Sequence, residues 1–274
     1  MRIDGRKIAQ EIRDELKSEI EELSKKGITP KIGIITLGPE TSWEIYVRQK
    51  IKVAAELGIK AVLINLADAS EEQLARTVRE IDSDSNYHGI IIQRPIPSNF
   101  NREVVVNLIS PEKDVDGFRD DSKFEIPVWL AVKRILDEII RISNFEFRIS
   151  NLVVVGKGET AGGPIIRGLR KMGIDPKIID TRTNNRDQIL RNADILISCV
   201  GKQNIVRADQ IKKGVILIGV GTHGEDLGLR GDYKVEEIED IAGAYTPTPG
   251  GVGPVNLSYL FQNLIQAAFS ASSR

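Results

Sequence analysis

Several groups of residues have the types and spacing to do chemistry. Gly156-Lys157-Gly158-Glu159-Thr160-Ala161 fits G-x-G-x-x-A and lies between an apolar run, Leu152-Val153-Val154-Val155, and a helical pattern. In that context the first glycine permits a tight turn and the second lets a phosphate approach the backbone. The helix that follows offers unpaired N–H groups to a pyrophosphate. The same glycines also suit a plain strand–helix turn. The next apolar run ends Asp180-Thr181-Arg182. An acid there favours ribose hydroxyls and NAD, and an arginine there favours a 2′-phosphate and NADP. Both residue types are present, so the pair leaves the choice open.

Tyr46 and Lys50 stand four apart, on one face of a helical segment. The Tyr46 ring could lie flat against an aromatic ligand. Lys50 could act as a base only if burial and neighbouring charge bring its pKa from about 10.4 toward 7, about 4 kcal/mol. Taken alone, such a pair is usually just a ring at a core edge and a solvated amine. Three further segments bear on them. Gly89-Ile90-Ile91-Ile92-Gln93-Arg94-Pro95-Ile96-Pro97 is an apolar strand ending in an amide and a rigid Pro-x-Pro. Lys113-Asp114-Val115-Asp116-Gly117 is a charged turn closed by glycine. Thr246-Pro247-Thr248-Pro249-Gly250-Gly251-Val252-Gly253-Pro254 is either a stiff connector or a backbone shaped for close approach to a ligand.

The elements that must position these groups alternate. Asp4 is a candidate N-cap for a helix with Ile8, Ile12, Leu16, Ile20 and Leu23 on one stripe, ended by Gly27. Strands are predicted at 31–37, 60–66 and 88–93. Between them lie helices at 40–57, closed by Gly58, and from a Ser70/Gln73 capping box through Ile81. The pattern restarts with a helix at 127–142 and strands at 152–155, 177–180, 195–200 and 215–218, then a final helix at 257–269. This predicts an α/β protein of two domains: an N-terminal βαβαβ catalytic domain and a Rossmann dinucleotide-binding domain, joined near residues 118–127.

Composition narrows the function. The 274 residues carry 38 basic and 39 acidic side chains, a formal charge of -1, which disfavours nucleic acid as a partner. The single Cys199 excludes an internal disulfide and a multi-cysteine zinc site, and it reads as a buried small side chain in an apolar strand. His88 and His223 lack a ligand-spacing pattern, so no metal is expected. No G-K-[ST] follows the glycine loop and no G-x-S-x-G elbow occurs. The apolar runs are strand-sized and the first residues are charged, so neither a membrane partner nor a signal peptide is expected, and the expected setting is cytoplasmic.

Together, Y-V-R-Q-K, G-I-I-I-Q-R-P-I-P, P-E-K-D-V-D-G-F, V-V-V-G-K-G-E-T-A-G-G-P and P-T-P-G-G-V-G-P resemble the bifunctional methylenetetrahydrofolate dehydrogenase/methenyltetrahydrofolate cyclohydrolase family, in its order and over most of the chain. The resemblance implies that Lys50 is the catalytic lysine, that Tyr46 lines the folate site, that Gln93 contacts the lysine and that Asp116 anchors the pterin. It places Gly156, Lys157, Gly158, Arg182 and Val220 on the cofactor, and Pro249, Gly250 and Gly251 against the substrate. It implies an active cleft between two domains, residues 1–118 plus 246–274 and residues 119–245. It further implies NADP as cofactor, with NAD possible, tetrahydrofolate derivatives as substrates and a homodimer. Some positions depart from the family. Trp43, beside Ser42, stands where a serine is usual, and Lys157-Gly158 replaces Arg-Ser. Glu125-Ile126-Pro127 shortens Pro-Cys-Thr-Pro, Leu217 replaces an aspartate, and Val255-Asn256 replaces Met-Thr.

The implied chemistry suits these residue types. Removing hydride from an N–CH2–N bridge leaves a resonance-stabilised cation and needs positioning, with no general base. Hydration of that cation requires proton transfer, for which a tuned lysine is suited. Two other readings remain at this level: a different Rossmann dehydrogenase acting on a small polar substrate, and a non-catalytic dinucleotide-binding protein.

Overall fold

In the computed structural model, which describes residues 1–39, 43–143, 151–225 and 228–272, short apolar runs form parallel strands and amphipathic segments form helices. Helix α1 (Gly5–Lys25) begins at the predicted cap. Asp4 Oδ1 accepts from the backbone N–H of Arg6 at 2.9 Å and of Lys7 at 3.3 Å. The elements β1 (Lys31–Leu37), α2 (Glu44–Glu56), β2 (Lys60–Leu66), α3 (Glu71–Ser83), β3 (Gly89–Ile92) and the short α4 (Arg102–Val106) follow. The predicted start of α2 at residue 40 lies outside the described residues, as does Ser42. The Ser70/Gln73 capping box forms: Gln73 N–H donates to Ser70 Oγ at 3.2 Å and Ser70 N–H donates to Gln73 Oε1 at 2.9 Å.

These strands make a parallel sheet in the order β2-β1-β3. Ile35 and Leu37 of β1 pack with Leu74 and Val78 of α3 and Ile90 and Ile92 of β3. Edge strand β2 buries less, and Leu63 is exposed on it. Both β1 and β3 are nearly continuous apolar runs because helices cover them.

The rest of the chain holds α5 (Pro127–Ser143), β4 (Leu152–Val155), α6 (Gly162–Lys171), β5 (Lys177–Ile179), α7 (Arg186–Arg191), β6 (Ile195–Ser198) and β7 (Ile216–Gly219). It continues with β8 (Thr222–Glu225), β9 (Gly228–Gly231), α8 (Val235–Ile238), β10 (Ala244–Tyr245) and α9 (Val252–Ser272). Five strands form a parallel sheet in the order β10-β7-β6-β4-β5, and β8 and β9 form a separate antiparallel hairpin. Helix α9 starts five residues earlier than the sequence predicts. Pro254 sits in its first turn, where a missing N–H breaks no helical bond, so the proline does not delay the helix. Cys199 lies one residue beyond β6 and is only partly buried, which corrects its reading as an interior strand residue.

Residues 1–10 with 128–256 form one compact unit, called here the five-strand unit. Residues 11–127 with 257–274 form the other, the three-strand unit. The division predicted from sequence, 1–118 plus 246–274 against 119–245, differs at every border. The reason at the start of the chain is pairing with β10. The Met1 ammonium donates to Gly243 O at 2.8 Å, Ile3 N–H to Tyr245 O at 2.8 Å, and Tyr245 N–H to Met1 O at 3.0 Å. Among the described residues no helix is long and apolar enough to cross a membrane.

Candidate active site

In the three-strand unit, Lys50 projects from α2, whose Val47 and Ala54 are buried. Its amine donates to Gln93 Oε1 at 2.7 Å. Gln93 directly follows β3 and is 7% exposed. Its backbone N–H donates to Ile35 O at 2.8 Å, and its side-chain Nε2 donates to Arg94 O at 2.8 Å. With its nitrogen so engaged, the amide presents its oxygen to Lys50. Burial pushes the Lys50 pKa below its ordinary value, and the nearby Asp116 carboxylate opposes part of that shift. Burial pushes Asp116 upward. Lys50 and Arg94 hold it back, and Asp114 adds to the rise. Burial therefore makes this amine easier to deprotonate than an ordinary lysine and sets it beside an acid of raised pKa. Tyr46, half-buried, lies one helical turn before Lys50.

The turn that carries Asp116 is held from several sides. The Lys113 amine donates to Asp82 O at 2.6 Å and Asp84 O at 2.9 Å, closing the C-terminal end of α3. Asp114 is buried and accepts from the Arg119 N–H at 2.9 Å. Gly117 adopts φ +71°, and a Cβ there would stand 2.9 Å from Phe124 O. From α9, Asn263 Nδ2 donates to Val115 O at 2.9 Å and to Glu125 O at 3.0 Å. The Arg94 guanidinium lies 3.7 Å from the centre of the Phe118 ring.

In the five-strand unit, Gly156 takes φ +87°, and its N–H donates to Ile179 O at 2.8 Å. A Cβ on Gly162 would fall 2.0 Å from Gly156 O, so only glycine lets α6 begin this close to the turn. Gly158 faces open space, with no atom within 4 Å of the place a Cβ would take. The first turn of α6 carries no acidic residue. Lys157 Nζ stands 2.7 Å from Asp180 Oδ2, and Arg182 is 3.7 Å from the same oxygen. Lys157 leads in holding the Asp180 carboxyl down at about 2. Two cations against one carboxylate leave this corner positive. An open glycine, an acid-free helix start and a positive strand end fit a phosphorylated dinucleotide.

The structure thus brings Lys50, Gln93 and Asp116 into one electrostatic group, with Tyr46 a turn away. Gly156, Lys157, Gly158 and Arg182 gather at the ends of β4 and β5. Val220 follows β7, and its N–H donates to Ser198 O at 2.8 Å. Pro249, exposed, and Gly250 and Gly251, buried, belong to the five-strand unit. Two charged residues of these sites do not stand out in the sequence. Arg94 enters there only as part of a motif, although an arginine directly after the strand's terminal amide is itself a signal. Asp232 is fully buried in the five-strand unit, and nothing in its local Gly-Asp-Tyr setting marks it.

The family model described as tetrahydrofolate dehydrogenase/cyclohydrolase, catalytic domain, matches residues 3–116, and the one for the NAD(P)-binding domain matches residues 132–272. The chain is 36% identical to the bifunctional protein FolD of Halalkalibacterium halodurans, over 97% of this chain and 98% of that one. It is similar to the crystal structure of the bifunctional enzyme FolD from Campylobacter jejuni, with a TM-score of 0.89 and 27% identity, covering 98% and 99% of the two chains. It is also similar to the Trypanosoma brucei dehydrogenase-cyclohydrolase solved with NADP and an inhibitor. There the TM-score is 0.87 and the identity 30%, covering 100% of this chain and 98% of that one. A shikimate dehydrogenase from Aquifex aeolicus, 14% identical with a TM-score of 0.50, shares the fold alone. Two domain matches and a full-length relative make this chain a member of the tetrahydrofolate dehydrogenase/cyclohydrolase family.

Proposed function

We propose that this protein oxidises methylenetetrahydrofolate to methenyltetrahydrofolate with NADP and then hydrolyses the product to formyltetrahydrofolate. The observation that carries the reading is the Lys50 amine, held on the Gln93 amide oxygen at 2.7 Å with its pKa lowered by burial. The names of the relatives support both activities, and the Trypanosoma brucei structure supports NADP.

NADP, when bound, supplies the hydride acceptor for the first step. Gly156 and Gly158 would let its pyrophosphate approach the backbone, and Lys157 and Arg182 would hold its 2′-phosphate. Val220 would pack beside it, and NAD is the weaker alternative. In the second step, Lys50 as a free amine accepts the proton that water sheds on adding to the methenyl carbon. It then returns that proton to the ring nitrogen as the C–N bond breaks, while the hydroxyl left on the carbon becomes the formyl carbonyl and releases its proton to solvent. Gln93 aims the amine and leaves its lone pair available. Asp116 anchors the pterin, the Tyr46 ring lies against it, and Pro249, Gly250 and Gly251 offer backbone to the substrate.

In our reading the protein acts as a homodimer in the cytoplasm, a setting that suits a chain whose one cysteine is partly buried and unpaired. Its role in one-carbon metabolism follows from the reaction.

A spectrophotometric assay with methylenetetrahydrofolate and each nicotinamide in turn tests both steps. Lys50→Met is expected to abolish hydrolysis of the methenyl compound while folate binding survives. Normal hydrolysis by that variant would refute the role given to Lys50.

A further inference from the structure

A buried carboxylate outside the groups already described organises the cofactor side of the five-strand unit. Asp232 follows hairpin strand β9 and is 0% exposed. Its Oδ2 accepts from Ser198 Oγ at 2.5 Å and from Val200 N–H at 2.9 Å. Its Oδ1 accepts from Gly201 N–H at 2.6 Å and from Lys202 N–H at 3.0 Å. Three successive backbone N–H groups converging on one carboxylate form an anion nest, here filled by the protein's own side chain. The four bonds satisfy a charge that would otherwise be costly to bury.

The segment so held faces the glycine turn. A Cβ on Gly156 would stand 3.1 Å from Cys199 O and 3.1 Å from a Val200 methyl. The residues after β7 are tied to the same point. Val220 N–H and Gly221 N–H both donate to Ser198 O, at 2.8 and 3.0 Å, and a Cβ on Gly221 would fall 2.4 Å from Asp232 Oδ2. The next residue, Tyr233, donates through its hydroxyl to Thr246 O at 2.6 Å, and Thr246 Oγ1 accepts from Gly219 N–H at 2.8 Å. One short segment therefore fixes the backbone that leaves β6 and the backbone that leaves β7. The C-terminal ends of such strands are where an open parallel sheet receives its ligand.

We propose that Asp232 is a positioning residue for the nicotinamide dinucleotide. It holds Cys199–Lys202 and Gly219–Gly221 in the arrangement that accepts the cofactor beside Gly156, without touching the cofactor itself. This rests on the cofactor reading given above. Asparagine at this position keeps the shape but replaces one acceptor with a donor, which faces N–H groups that also donate.

The test compares wild type, Asp232→Asn and Ser198→Ala, the last removing one donor to the carboxylate and leaving the backbone nest. NADP affinity is measured by titration, the dehydrogenase by KM for NADP against kcat, the hydrolase on methenyltetrahydrofolate without dinucleotide, and the fold by thermal melting. Asp232→Asn is expected to raise Kd and KM for NADP about tenfold or more. The KM for folate and the hydrolase rate should stay within about twofold of wild type. Ser198→Ala should show a smaller rise in the same constants, with a melting temperature lowered by only several degrees and a cooperative transition. Wild-type NADP affinity in both variants overturns the proposal, and so does an equal loss of both activities in Ser198→Ala. If Asp232→Asn fails to fold, the Ser198→Ala result decides. Absence of dinucleotide binding in wild type would remove the cofactor reading and the proposal together, whereas normal wild-type binding with unaffected variants removes the proposal alone.

Discussion

Lys50 and Gln93 meet through an amide that has one working orientation: the oxygen accepts from the amine at 2.7 Å while the nitrogen donates to Arg94 O at 2.8 Å. Turning the amide over would set a donor against a donor and release a carbonyl. Gln93→Leu removes both bonds in a buried place while roughly keeping volume. Loss of one hydrogen bond to the neutral amine is worth about 0.5–1.5 kcal/mol, so the hydrolase kcat is expected to fall about 2- to 10-fold. The dehydrogenase step needs no base, so its kcat should fall much less. The ratio of the two rates, measured on one preparation, checks this. A parallel fall would mean that Gln93 serves substrate placement in both steps.

The pH profile carries a sign. Burial lowers the Lys50 pKa from its ordinary 10.5, and the base is the unprotonated amine. Hydrolysis should therefore rise with pH through the lowered value and level off before 10.5. Asp116 pulls the other way, raising Lys50, so Asp116→Asn should move the midpoint to lower pH even as it weakens folate binding. The same shift affects stability. Between the folded-state value and 10.5 the unfolded chain holds the extra proton, so this group's contribution to stability rises with pH across that window. A midpoint that moves up in Asp116→Asn would contradict the electrostatics assigned to the pair.

At the end of β5, the Lys157–Asp180 contact at 2.7 Å is half-exposed, and such pairs add little to stability. Their value lies in charge. Lys157→Ala should leave the melting temperature within a degree or two, since about 0–1 kcal/mol is at stake. It should raise KM for NADP several-fold with little change for NAD, because only the former brings a 2′-phosphate to this corner. The preference should also weaken as salt screens the site. Equal effects on both cofactors would place Lys157 on the shared pyrophosphate instead.

Much of this was readable from residue order because the signals were local. The Asp4 cap, the Ser70/Gln73 box and the apolar runs of β1, β2 and β4 stand where pattern and capping chemistry put them. So does the glycine turn; Lys50, Gln93 and Asp116, far apart in the chain, were singled out by the family resemblance and not by a local pattern, and the fold places Lys50 beside the other two. What escaped depends on distance along the chain. Met1 and Ile3 join β10 across about 240 residues, and no local pattern announces that pairing. Asp232 meets Ser198 and its neighbours 30 to 34 residues away. Hairpin β8–β9 escaped for another reason. Its strands are short and rich in glycine and charge, so they lack the alternation that marks a strand.

Gly89 links the packing of the three-strand unit to its chemistry. A Cβ at this first residue of β3 would lie 2.7 and 2.9 Å from the two methyls of Val115 and 2.8 Å from Leu264 Cδ1. Val115 is fully buried and immediately precedes Asp116, so crowding at Gly89 is passed to the turn that carries the carboxylate. Gly89→Ala should cost about 1–3 kcal/mol by overpacking. Val115→Ala should also cost stability, by leaving a gap where two methyls were. The double variant fills that gap with the new methyl. Its loss should therefore be smaller than the sum of the single losses by about 1 kcal/mol or more, a coupling within the range seen for residues in contact. Denaturant melts of the four proteins measure it. Folate affinity should follow the same order, lowest in Gly89→Ala and partly restored in the double variant, because Asp116 regains its place when the methyl is accommodated. Strict additivity would show that the turn yields elsewhere and that Gly89 does not govern where Asp116 sits.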